Sequence, residues 1–395
     1  MWLSFKVLFW LSIAIVVYTY VGYGVVLYLL IRIKRFFHPC TTPHWEVELP
    51  EITLLIAAYN EEKIVEEKMG NCRSLEYPKD KLKIIWITDG SQDQTNERLS
   101  RYPEVTVLYQ PERQGKTAAL NRAISYVSTP FTVFTDANTI LNSQALMEIV
   151  HQFSNPQTGC VAGEKRIAVQ EKDTASSGGE GFYWKYESKL KAWDSQLYST
   201  VGAAGELFAI RTSLYEEMPS DTLLDDFILS MRIAGKGYKI AYCDTAYAIE
   251  DGSADMKNEE KRKVRIAAGG LQAIRRLWKL LIPNPFHLGI LRFQYISHRV
   301  LRWSITPVLL FLLLPLNVVL AFLPAFSVLY SSVLLLQLIF CVLAFLGYRM
   351  QQQQIKIKIL FIPYYFLFMN LNVLKAFTYL MKHKGTGIWE KAKRK

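Results

Sequence analysis

Apolar residues gather at the two ends of the chain, and the stretch between them alternates short apolar runs with polar, helix-like segments. No charged residue interrupts Trp10 to Ile31, a run long enough to cross a bilayer as one helix. A second uncharged run, Trp303 to Leu346, has length for two spans with a tight turn near Leu323-Pro324. A last apolar run covers Leu360 to Leu380. In the middle, Glu51 to Ala58, Lys83 to Thr88, Val105 to Tyr109 and Phe131 to Thr135 read as short buried strands. Helical stretches such as Thr117 to Ser128 separate them, and strand–helix alternation predicts a mainly parallel sheet covered by helices. Ligands of such sheets bind beyond the carboxyl ends of the strands.

Charge at the edges of the apolar runs sets the expected orientation. Arg32, Lys34 and Arg35 follow the first run and only Lys6 precedes it, which places the N-terminus outside and the next domain in the cytosol. The run is too long for a signal-peptide core and lacks a small-residue cleavage site, so it reads as an uncleaved anchor. Arg349, Lys356 and Lys358 belong inside by the same rule, as does the basic tail from Lys382. A third full span would put that tail outside, so residues 360–380 are expected to be re-entrant or interfacial. The expected layout is an anchor (1–35), a cytosolic domain (50–275), an amphipathic interfacial segment (276–302), membrane helices (303–381) and a basic cytosolic tail (382–395), multi-pass in the plasma (inner) membrane. The aromatic and basic segment from Glu180 to Leu197 suits either a helix at the membrane surface or one covering the sheet.

The net charge of +11 fits a face beside anionic lipid. The basic residues are spread out rather than set in one aromatic-interleaved stripe, which argues against a nucleic-acid partner. Five scattered cysteines (Cys40, Cys72, Cys160, Cys243, Cys341) form no Cys-x-x-Cys pair and support no disulfide framework. The membrane segments carry almost no ionisable residues, which disfavours a transporter.

Four motifs carry candidate chemistry. Asp89-Gly90 ends a strand, where a carboxylate can accept from a nucleoside while the glycine lets the backbone approach; a plain surface turn is the alternative. Asp136-Ala137-Asn138 sets two oxygen-bearing side chains past another strand end, fit for a hard divalent cation shared with phosphates, or for an Asx turn before a helix from Ser143. Asp225-Asp226 lies inside an apolar stretch, where burial would raise a carboxyl pKa towards that of a working base; an acidic first turn of the helix Phe227 to Ala234 competes. Arg262, Lys263 and Arg265, followed by Gly269-Gly270, suit either a diphosphate or lipid headgroups. Gly115-Lys116-Thr117 is not a P-loop, because Gln110 stands where the pattern needs glycine, yet Lys116 can still face a phosphate.

In this order, with Ala57-Ala58-Tyr59-Asn60-Glu61 at their head, the motifs resemble the family-2 glycosyltransferases of the GT-A fold, and among them the membrane-embedded cellulose, hyaluronan and poly-N-acetylglucosamine synthases. The resemblance implies an α/β GT-A domain with N- and C-terminal transmembrane helices, and an inverting transfer from a nucleotide sugar, most simply UDP-linked, with Mg²⁺ or Mn²⁺. It implies a donor site of Ala58, Tyr59, Asn60, Glu61, Asp89, Lys116, Asp136, Arg262 and Arg265, and metal ligands Asp136 and Asn138. Gly202 to Arg211, with Gly205 and Glu206, resembles the acceptor loop, and Asp226, beside Asp225, matches the general base. The segment Gly385 to Lys391 resembles a Thr-Trp tail of some synthases. Two departures stand out: Asn138 replaces the second metal-motif acid, and Arg262-Lys263-Val264-Arg265-Ile266 keeps the arginine of Gln-x-x-Arg-Trp but not the Gln or Trp. The expected partners are a nucleotide-sugar donor, a polysaccharide or lipid-linked acceptor, the bilayer and subunits of an export complex. The competing readings are a single transfer onto a lipid-linked acceptor and a non-catalytic nucleotide-sugar-binding subunit.

Overall fold

The computed structural model describes residues 2–37, 48–168, 176–252, 255–283, 289–322, 327–353 and 357–382. Eight strands form one sheet in the order β3-β2-β1-β4-β7-β6-β8-β5. They are β1 (Ile52–Ala58), β2 (Leu82–Asp89), β3 (Val105–Gln110), β4 (Phe131–Asp136), β5 (Thr139–Leu141), β6 (Thr158–Ile167), β7 (Leu207–Arg211) and β8 (Lys239–Glu250). The four strands expected from apolar runs are all present and run parallel. The rest of the sheet is mixed rather than parallel: β7 is antiparallel to both β4 and β6, and β5 is antiparallel to β8. β1 sits between β2 and β4, so alternate residues face opposite covers, with Leu54 and Ile56 in one core cluster and Leu55 in the other.

Register decides where the polar residues emerge. Ala58 pairs with Thr88, Ala57 with Asp136 and Asp89 with Gln110, so the three motif-bearing loops leave the sheet at one edge. Helix α2 (Lys116–Ile124) stops short of the expected Ser128, and the helix after the Asp136 turn starts at Ala145 rather than Ser143.

Helix α1 (Trp2–Phe37) is long and apolar enough to cross a membrane and is interrupted by a π-turn at Tyr18–Gly22. Helix α3 (Ser176–Leu197) packs between α1 and β8, so it covers the sheet and touches the anchor at once. Helix α4 (Asp225–Gly235) lies in the sheet's core, and α5 (Met256–Arg276) follows. Gly269 and Gly270 let α5 come close: a Cβ on either would stand 2.5 Å from Leu224 or 2.4 Å from Trp303. Helix α6 (Gly289–Trp303), with its own π-turn at Ile296–Val300, meets α7 (Ile305–Ala321) at a 50° bend. Helices α8 (Ser327–Gln352) and α9 (Lys358–Lys382) complete the C-terminal part, and α8 and α9 also contain candidate spans.

Residues 360–380, expected to be re-entrant or interfacial, lie within one unbroken helix, α9, and the sharp bend of the C-terminal part falls at Ser304. Length and apolarity make α9 a candidate span, and two of its polar groups reach the soluble domain. Tyr365 hydrogen-bonds Glu259 at 3.3 Å and Lys375 pairs with Glu260 at 2.5 Å, both on α5. The turn at Leu323-Pro324, Cys40 and the tail from residue 383 lie outside the described residues.

One face of α3 ties these parts together. Asp194 accepts from the Tyr23 hydroxyl of α1, from Gln294 Nε2 at 3.1 Å, and pairs with His298 Nδ1 at 2.6 Å. Seven residues earlier, Glu187 receives Arg299 and Arg302 at 2.7 Å each. Burial opposes ionisation of Glu187, but Arg299, His298 and Arg302 hold its pKa well below the usual carboxylate range. Glu187→Gln would leave two arginines buried beside a neutral partner, costing roughly 3–5 kcal/mol. We expect the thermal midpoint of the detergent-solubilised protein to fall by about 10 °C; an unchanged midpoint would show that the clamp does not bear on stability.

Candidate active site

Asp89 does its work through the backbone. Its carboxylate accepts from the Gln114 amide at 2.9 Å and the Gly115 amide at 2.7 Å, which straps the loop before α2 onto the end of β2. The strap delivers Lys116, first residue of α2, to Asp136 at the end of β4, with Nζ 2.6 Å from Oδ1. Burial disfavours the Lys116 ammonium, yet Asp136, Asp225 and Asp226 raise its pKa and keep it charged.

The β1 and β2 loops are laced to each other. The Asn60 amide donates to Ser91 Oγ at 3.0 Å, the Gln92 amide returns to Asn60 Oδ1 at 2.9 Å, and the Glu61 amide reaches Thr95 Oγ1 at 2.8 Å. Asn60 holds a positive φ of 52°, a strained setting that this lacing fixes. The Arg113 guanidinium lies 3.7 Å from the centre of the Tyr59 ring. Ala58, Tyr59, Asn60, Glu61 and Asp89 thus build a rigid shelf that does not line the cavity containing Lys116 and Asp136.

That cavity, of about 450 Å³, does bring together Lys116, Asp136, Gly205, Glu206, Asp225 and Asp226. Arg262 and Arg265 line it too, although Arg262 is already gripped by Glu259, with Nε–Oε2 at 3.0 Å. Asp225 and Asp226 open α4, so the acidic-first-turn reading and the site reading hold together. Asp226 Oδ1 accepts the Phe227 amide at 2.8 Å. Its Oδ2 points to Gly205, where a Cβ would stand 3.4 Å from Oδ2 and 3.3 Å from Lys116 Nζ. Burial and the neighbouring Asp225 carboxylate push the Asp226 pKa up to about 7, against the pull of Lys116. Asp225 is buried with one carboxylate oxygen lacking a hydrogen bond. Glu206 has the opposite environment: Lys165, set between Glu206 and Glu250, holds it ionised against its burial. One acid is poised to take a proton and the other is locked as a structural anion.

Asp136 and Asn138 offer hard oxygen donors of the kind Mg²⁺ or Mn²⁺ takes. Among the described residues no three His, Cys, Asp or Glu side chains cluster as a metal site, so a cation here fits only with phosphate oxygens completing its shell. The cavity also holds residues that the sequence did not suggest: Lys191 of α3, Arg299 and Arg302 of α6, Tyr20 of α1 and several side chains of α9. The two arginines ahead of the apolar run at Trp303 were the available signal.

Residues 53–218 match the family model "Glycosyl transferase family 2". The poly-beta-1,6-N-acetyl-D-glucosamine synthase of Staphylococcus aureus (strain COL) is 29% identical over 262 residues, 63% of this chain and 62% of that protein. The chain's match thus spans less than two thirds of that relative. The synthase of the same name from Staphylococcus epidermidis is 25% identical over 386 residues, 92% of each chain. Among solved structures, the mannosyltransferase PcManGT from Pyrobaculum calidifontis, in complex with GDP-Man and Mn²⁺, shares the fold with a TM-score of 0.70 at 21% identity, over 96% of this chain and 100% of that one.

Gly202 bears on the position of Asp226. It has φ +82°, and a Cβ there would stand 2.1 Å from the Phe227 ring, the residue after Asp226. We expect Gly202→Ala to cost about 2–4 kcal/mol through backbone strain and overpacking, and to reduce turnover more than tenfold by shifting Asp226. Wild-type turnover in Gly202→Ala would show that this contact does not position the base.

Proposed function

Residues 53–218 make this chain a family-2 glycosyltransferase, and from that premise we propose that it moves a sugar from a nucleotide-sugar donor, UDP-linked, to a polysaccharide or glycolipid acceptor at the cytosolic face of the inner membrane. The observation that carries the reading is Asp226, a carboxylate with a pKa raised to about 7 in one cavity with Lys116 and Asp136. A group held near neutral pH can both accept a proton and release it, as a general base must.

The shelf of Tyr59, Asn60 and Glu61 beside Asp89 holds the nucleoside, and Lys116 with Arg265 faces the diphosphate. The acceptor hydroxyl lies at Gly205, the open point between Lys116 Nζ and Asp226 Oδ2. Its oxygen bonds to the anomeric carbon as the bond from that carbon to the diphosphate oxygen breaks. The hydroxyl proton passes to Asp226 Oδ2, the bonding pair leaves with the nucleoside diphosphate, and the anomeric configuration inverts. Asp136 and Asn138, with the donor's phosphates, would hold Mg²⁺ or Mn²⁺, which supplies neutralising charge to the diphosphate. A purely nucleotide-sugar-binding role has no use for the raised pKa of Asp226.

The test uses the full chain in lipid vesicles with labelled UDP- and GDP-sugars. Asp226→Asn should lower turnover by roughly 10²–10⁴-fold while donor still binds. The base works unprotonated, so wild-type kcat/KM should rise with pH, levelling above an apparent pKa near 7. An Asp226→Asn variant with wild-type turnover, or a flat profile from pH 5 to 9, would defeat the assignment. Asp136→Ala should raise the donor KM at least tenfold and remove the response to added Mg²⁺ or Mn²⁺; transfer that survives chelation unchanged would remove the metal from the scheme.

A further inference from the structure

The cavity is not lined by the carboxylates alone. Its lining has a second, apolar part of Tyr20, Ile362, Phe366, Met369 and Val373, on two helices long and apolar enough to cross a membrane. Ile362 lines the cavity and is also 44% exposed, so this part reaches the helix surface that lipid would cover. Both π-turns border the same part. Tyr18 of one bonds Ser297 of the other at 2.8 Å, and π-turns recur where helices serve ligands.

Lys191 of α3 lines the same cavity. It is only 5% exposed, yet its ammonium has no hydrogen bond or ion pair among the described residues. Its helix neighbour Glu187 is engaged by Arg299, Arg302 and His298. Burial lowers the Lys191 pKa, Glu187 opposes that without touching the ammonium, and Arg299, another cavity residue, adds repulsion. An anion entering the cavity would give the ammonium the contact partner it lacks among the described residues. Lys116, which the proposed function sets against the donor's diphosphate, is paired with Asp136 on another element.

We propose that this second part of the cavity binds the acceptor as an anionic amphiphile: a phosphate at Lys191 and Arg299, a hydrocarbon tail along Tyr20, Ile362, Phe366, Met369 and Val373, and a headgroup hydroxyl reaching Asp226. The inference rests on the transferase reading and narrows its acceptor to a lipid phosphate that still carries a free hydroxyl. The phosphate is held and does not react, and the hydroxyl is the nucleophile.

The full chain in nanodiscs is offered three radiolabelled probes: decyl-phospho-N-acetylglucosamine, the neutral decyl N-acetylglucosaminide, and free N-acetylglucosamine 1-phosphate. Direct binding is read by scintillation proximity, so the result does not depend on turnover. The decyl phosphate should bind at least tenfold tighter than either control, since a charged hydrogen bond on a buried partner is worth roughly ten- to a hundredfold. Lys191→Met should erase the preference over the neutral amphiphile, leave UDP-sugar affinity unchanged and leave the thermal midpoint no lower than wild type. Lys191→Arg should retain the preference.

Equal binding of charged and neutral amphiphiles would overturn the proposal. So would tight binding of the free sugar phosphate, or a Lys191→Met variant that loses donor and acceptor together. If labelled sugar moves onto the neutral amphiphile as readily as onto the charged one, the transferase reading stands and this inference falls. If the decyl phosphate binds as expected but no donor sugar is transferred to any probe, the acceptor site stands and the transferase reading is at fault.

Discussion

Two carboxylates on one face of α3 hold the molecule in its working shape. Glu187 and Asp194, two helical turns apart, are both buried, and their partners lie a hundred or more residues away along the chain. Asp194 fastens the anchor helix through Tyr23 and the post-domain helix through Gln294 and His298, while Glu187 gathers Arg299 and Arg302. Burying such charges gains little net stability over apolar packing, but the fully paired geometry is demanding and admits few alternatives. What it secures is orientation. It holds α6 and α1 against α3, and all three helices contribute side chains to the cavity that also contains Asp136 at the end of β4.

Inside the cavity the same physics sorts carboxylates into opposite roles. Glu206 stands just before β7 and Asp226 in the first turn of α4, and both line the same cavity. Glu206 meets Lys165 and stays ionised, while Asp226 meets Asp225 and drifts towards neutrality at physiological pH. Burial alone would raise both, so the sign of the nearest charge makes the difference. Lys116 links the two halves of the site because Asp136 fixes its ammonium while Asp225 and Asp226 share its field.

The local parts of this arrangement were legible from the chain. β1, β2 and β4 announce themselves as apolar runs that stop at Tyr59, Asp89 and Asp136, because central parallel strands are buried on both faces, and the half-buried edge strand β3 shows as a β-branched run. β7 and the β6–β8 pairing were not legible, since their register depends on long crossovers rather than on composition. Asp89 reads from the sequence as a nucleoside contact, and the structure adds a second role, since its oxygens accept the Gln114 and Gly115 amides, a backbone role that a side-chain motif cannot reveal. Charge alone marks residues 360–380 as re-entrant or interfacial, and it gives no sign of the bend at Ser304, where α6 turns away from the sheet domain that Glu187 and Asp194 hold it against. Charge bias describes which side of a membrane a loop prefers and says nothing of such packing. Lys191 escaped notice for a related reason. A lysine in an aromatic, basic helix looks like a solvated residue until the tertiary fold takes its water away.

Ile266 shows how a departure in sequence can leave the local chemistry in place. It stands where the pattern Gln-x-x-Arg-Trp has its tryptophan. The cavity nonetheless contains Trp184 from α3, Trp303 from the end of α6, and Tyr365 and Phe366 from α9. Trp303 packs edge-on against Phe227, with ring centres 5.0 Å apart, and rests on Gly270, one turn beyond Ile266. Gly270 gives Trp303 the room it needs, so the glycine pair on α5 and the tryptophan on α6 act as one unit. The cavity therefore draws an aromatic side chain from the helix that carries Arg299 and Arg302, and not from position 266 of the helix that carries Arg265.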